Sequence, residues 1–144
     1  MGRQARAGLG IAAVLAAFLC LPALTGAAMA VTGGADGVCV STSGAYQVRY
    51  RSELQPIRIN SIHAWVLQLQ TAEGKPVSGA VIEIQGGMPR HNHGLPTRPQ
   101  VTAGPGDGNY RIEGLRFHMQ GEWQLSLSIT SGKEEDTCMI SLQL

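Results

Sequence analysis

The chain has 144 residues and a formal net charge of +1, with 11 Lys and Arg against 10 Asp and Glu. That length is a prior for one domain. Near-neutrality, with no basic stripe and no interleaving of aromatic and basic residues, argues against a nucleic-acid partner.

The first thirty residues read as a leader. Arg3 and Arg6 give a short basic start, Gly8 to Leu24 is apolar and uncharged, and Ala28-Met29-Ala30 places small residues at both positions of a signal-peptidase site. This pattern predicts a signal peptide over 1–30, cleaved after Ala30, and a mature domain over 31–144 that is exported to the periplasm or secreted. The rival reading is an uncleaved anchor, because the apolar run approaches the ~18 residues needed to span a bilayer. The polar Val31 to Asp36 that follows favours cleavage. Cys20 does not read as a lipoprotein cysteine, because bulky residues precede it.

Past the leader, the signals are those of strands. Tyr46, Val48 and Tyr50 alternate with Gln47 and Arg49, and Ile57 and Ile59 with Arg58 and Asn60. His63, Trp65, Leu67 and Leu69 fall on one face, since strand side chains two apart point the same way. A turn at 71–76 leads to Ala80, Ile82 and Ile84, and a long connection over 86–108 follows. Tyr110, Ile112, Leu115 and Phe117 suggest a strand broken near Gly114. Trp123, Leu125, Leu127 and Ile129 alternate with polar residues, and Cys138, Ile140, Leu142 and Leu144 close the chain. No stretch has a helical apolar period. About seven half-apolar strands predict an all-β fold, a single antiparallel two-sheet immunoglobulin-like sandwich.

Two cysteines remain past the leader, Cys39 and Cys138. In an oxidising compartment such a pair predicts a structural disulfide tying the start of the mature chain to its last strand. The alternative, a pair of metal thiolates, lacks any other ligand type within five residues of either cysteine.

The chemistry concentrates in Met88-Pro89-Arg90-His91-Asn92-His93-Gly94. In an extended segment His91 and His93 project from the same side, and a bend at Pro89 brings Met88 near. His118-Met119 forms a second pair, at a strand end that a sandwich can bring beside this loop. His63 ends the core stripe and can face the same rim. Imidazole suits copper, zinc and nickel, whereas thioether sulfur favours Cu(I), so copper is the expected ion and zinc the less favoured one. The candidate metal ligands are Met88, His91, His93 and His118, with His63 or Met119 completing or flanking the site. Each has a plainer role open to it: the histidines as loop or core residues, the methionines as core filling.

An enzyme is not expected. No acidic residue falls inside the His91–His93 loop to act as a general base, and no Gly-x-Ser-x-Gly elbow or zinc-protease histidine spacing occurs. The remaining alternative is a metal-free accessory domain that docks on a membrane protein complex through the 86–108 loop.

Ile62-His63-Ala64-Trp65, Gly74-Lys75-Pro76-Val77, Met88-Pro89-Arg90-His91-Asn92-His93-Gly94, Gly108-Asn109-Tyr110 and Phe117-His118-Met119-Gln120-Gly121-Glu122-Trp123 together resemble the YtkA-like/FixH-like family of small exported domains. The resemblance spans about residues 60–130. It implies an immunoglobulin-like fold and an association with metal handling, copper especially. The partners this suggests are the ion itself and a copper acceptor or membrane protein.

Overall fold

A computed structural model describes residues 36–144, together with Gly2. The expected signal peptide and its cleavage point lie outside the described residues. Nine strands follow in order: β1 (Asp36–Val40), β2 (Tyr46–Ser52), β3 (His63–Thr71), β4 (Val81–Met88), β5 (His93–Gly94), β6 (Gln100–Ala103), β7 (Asn109–Leu115), β8 (Glu122–Ser131) and β9 (Glu134–Gln143). They form two antiparallel sheets, ordered β1-β2-β3-β7-β6 and β5-β4-β8-β9. The all-β sandwich is thus the architecture observed. Among the described residues no helix is long and apolar enough to cross a membrane.

The period-two pattern explains the layers. Along β2 and β8 every second residue is buried. Trp65, Leu67, Leu69 and Ile112 therefore meet Trp123, Leu125, Leu127 and Ile129 in one core, all fully buried. Burying one such aliphatic side chain stabilises by about 1.5–3 kcal/mol relative to leaving it exposed. Tyr50 stacks on Trp65 at 5.4 Å between ring centres. The expected disulfide joins Cys39 of β1 to Cys138 of β9, with Cα atoms 6.0 Å apart, and so links the two sheets.

Three local expectations change. Ile57 and Ile59 do not form a strand: Pro56 removes an N–H donor and Asn60 adopts φ 63°, so the segment crosses between β2 and β3 with both isoleucines leaning on the core. The long connection over 86–108 is not a plain loop. The end of β4, the two-residue β5 and the four-residue β6 lie within it. Nor is the chain broken at Gly114. β7 continues to Leu115, and the register passes from Trp65↔Ile112 to His63↔Leu115, leaving one extra residue on β7. Gly114, at φ 81°, absorbs this β-bulge. The bulge shifts the phase by one residue, which turns both Ile112 and Leu115 inward.

Candidate metal centre

The two ends of the sandwich differ, and the candidate residues gather at one of them. β4 carries Met88 to this end, Pro89–Asn92 turns the chain, and β5 returns with His93 directly opposite Met88. Cross-strand partners in an antiparallel pair project to the same face, so the thioether and the imidazole share a side. The His91 amide donates to the Met88 carbonyl at 3.1 Å. Asn92 takes φ 51°, a left-handed conformation that asparagine tolerates better than most residues. Glycine is required at position 87: a Cβ there would stand 2.6 Å from the His93 carbonyl oxygen and hold β5 away from β4.

The second half comes from the segment between β7 and β8. Phe117 is fully buried and lies edge-on to Trp123 at 5.1 Å. With Phe117 facing inward, the next residue faces the rim. The His118 ring meets His93 at 5.7 Å and 86°, and Trp123 at 5.3 Å and 83°. The Trp123 indole N–H donates to the Met119 carbonyl at 3.0 Å, which fixes the turn that carries His118. Gly121 leaves room on the other side. A Cβ there would approach the Met88 methyl to 2.9 Å, and its φ of 128° favours glycine.

The six candidate ligands are therefore not equivalent. His91 and His93 are exposed, with nearly parallel rings 6.4 Å apart. His118 is half-buried, and its Nδ1 is shielded without a hydrogen-bond partner. Met88 is 1% exposed, at the base of the rim. Met119 is half-buried, packs against the core and has its carbonyl tied to Trp123. His63 stands apart: its ring packs on Phe117 at 5.7 Å, and its Nδ1 hydrogen-bonds to the Ser61 carbonyl at 3.1 Å. Among the described residues no three His, Cys, Asp or Glu side chains converge on one ion-sized point. The imidazoles meet as pairs, His91 with His93 and His93 with His118.

Pairing is compatible with coordination. With metal–nitrogen bonds of about 2.0–2.1 Å, two imidazoles on one ion stand with ring centres roughly 5–6.5 Å apart. The His93–His118 and His91–His93 separations both fall in that range. No carboxylate completes either pair. Glu122, the nearest in sequence to His118, faces Arg90 at 3.6 Å instead. A trough of about 480 Å³ opens beside His93, bounded by Gly87, Met88, Pro89, His93, Gln124 and Met139.

Sequence reasoning missed the parts of Trp123, Gly87 and Gly121. Trp123 reads as an ordinary core residue of an alternating strand, and only its place four residues after Met119 hints at the bond to that carbonyl. The glycines carry no chemistry of their own. Their role depends on which backbone or methyl group lies opposite.

A small β-sandwich with a His/Met rim is the class of protein that this fold and site define. The family model for YtkA-like proteins matches residues 41–128, more than half of the chain, and the protein belongs to that family. No curated protein and no solved structure matches the chain.

Proposed function

We propose that this is an exported metal-binding protein that binds and delivers copper through its His/Met rim. The observation that carries the reading is the meeting of His93 on β5 with His118 from the β7–β8 connection, with Met88 the cross-strand partner of His93. Two imidazoles and a thioether make a donor set that suits copper better than zinc, because thioether sulfur is a soft ligand. Export is supported by the leader pattern in the sequence and by a closed Cys39–Cys138 pair, which persists in oxidising compartments. The exposure of His91 and His93 suits exchange of the ion with an acceptor protein.

The chain's own residues would do the following. Met88 and His118 supply donors held by packing, and His93 supplies a donor on a short strand fixed to β4. Trp123 and Phe117 keep water from the inner side. A competition titration with Cu(I), Cu(II) and Zn(II) tests the proposal, comparing wild type with H91A/H93A. Roughly stoichiometric copper binding that the variant loses is expected. Equal behaviour of the two proteins would overturn the reading. The open trough beside His93 would then favour a metal-free docking face for a membrane protein complex.

A further inference from the structure

His93 belongs to two ring pairs of different character. Towards solvent it faces His91: both rings are exposed, nearly parallel, and 6.4 Å apart. Towards the core it faces His118 at 5.7 Å, on the same side of the β4–β5 ladder as the buried Met88 and with Trp123 behind. The outer pair offers imidazole nitrogen alone in a wet setting, which suits divalent copper, zinc or nickel. Beside the inner pair stand Trp123, against the His118 ring, and the buried Met88, the cross-strand partner of His93. Its surroundings are drier, and desolvation there disfavours a doubly charged ion more than a singly charged one. An aromatic ring adjacent to a cation adds attraction through its quadrupole. The shielded, unpartnered Nδ1 of His118 is a polar atom at the inner position that lacks any protein group to satisfy it.

We infer that His93 is shared between two alternative metal positions, an outer one with His91 for divalent ions and an inner one with His118 and Met88 for soft monovalent ions. The inference rests on the metal-binding reading above and adds that the charge of the ion selects the position. A neutral imidazole has one unprotonated nitrogen, so the shared ring serves one ion at a time. Occupation is then mutually exclusive, and the protein holds one ion, whichever kind it meets. An ion arriving as Cu(II) would be held at the exposed edge, and one arriving as Cu(I) beneath it.

The test uses redox-inert probes on the exported protein with its disulfide closed. Ag(I) stands for the monovalent ion and Zn(II) for the divalent one, each titrated calorimetrically and in competition with the other. H91A should weaken Zn(II) at least about tenfold and leave Ag(I) within about threefold. M88L, which conserves core volume, should do the reverse, and H93A should weaken both. Ag(I) should displace Zn(II) rather than bind beside it. Parallel loss of both ions in H91A, unchanged Ag(I) affinity in M88L, or simultaneous binding of both ions would overturn the inference while leaving a metal site in place. Wild-type protein that binds neither ion would remove the metal-binding reading itself, and this inference with it. Melting curves for each variant separate loss of ligand from loss of fold.

Discussion

The two ends of the sandwich treat polar groups in opposite ways. At the end formed by the β1–β2 and β8–β9 turns, they are paired. Asp136 accepts from the Ser43 amide and hydroxyl and from the Thr137 amide. The Tyr46 hydroxyl donates to Glu134, and that of Tyr110 donates to the Val77 carbonyl while accepting from the Ala80 amide. Towards the opposite end His63 Nε2, Trp65 Nε1, Thr97 Oγ1, Arg116 Nε and His118 Nδ1 are shielded without partners. One end of the fold is thus densely hydrogen-bonded, while the other leaves several buried polar atoms without a protein partner and carries the His/Met rim. Stability and ion binding should accordingly be separable by mutation.

The largest expected effect is at the sealed end and its cross-link. Replacing both Cys39 and Cys138 with serine should lower unfolding free energy by about 4–5 kcal/mol in the chain-entropy model, measured by denaturant titration. Protein that remains folded should keep the proposed copper binding, because neither cysteine lies in the rim. Trp123→Ala should cost about 3–5 kcal/mol, since it removes a fully buried aromatic. Unlike the disulfide variant, it should also weaken ion binding, because the turn carrying His118 loses its anchor.

Smaller changes sharpen the contrast. Gly87→Ala should cost roughly 1–3 kcal/mol as β5 is forced from β4, and ion affinity should fall although no ligand is changed. H91A/H93A should stay within about 0.5 kcal/mol of wild type in stability, because both side chains are exposed, while losing the ion. A double variant that unfolds would break the division between the two ends.

The smallest effect concerns pH. The Ser41 and Ser43 hydroxyls and the neighbouring amides hold the Asp136 carboxyl at about 2, against an ordinary 3.8. A depressed carboxylate pKa stabilises the fold above the ordinary value, and the contribution is lost as pH falls through about 2. Thermal melts between those two pH values should therefore decline more steeply for wild type than for Asp136→Asn.

Much of this arrangement was legible in the residues. Alternation placed Val48, Trp65, Leu67, Leu125 and Ile129 in the core, and cysteine parity anticipated the Cys39–Cys138 bond. The spacing of His91 and His93, with Met88 before them, singled out the 88–99 loop, and His118 does come up beside it. The misses have physical causes. Ile57 and Ile59 alternate as a strand does, but Pro56 and the left-handed Asn60 prevent ladder pairing. β5 is two residues long, too short for any periodic signal. The bulge at Gly114 is a property of two strands compared, so one strand alone reads as a break. The division of the rim into ring pairs, with His63 apart against Phe117, depends on how two sheets approach each other. No local pattern encodes that.

The most direct test of the central claim is X-ray absorption at the copper edge on protein loaded with one equivalent of Cu(I). Mixed scattering is expected, nitrogen at about 2.0 Å and sulfur at about 2.3 Å, with the sulfur shell lost in M88L. An all-nitrogen shell, a sulfur shell unchanged by that substitution, or protein that takes up no copper would contradict it.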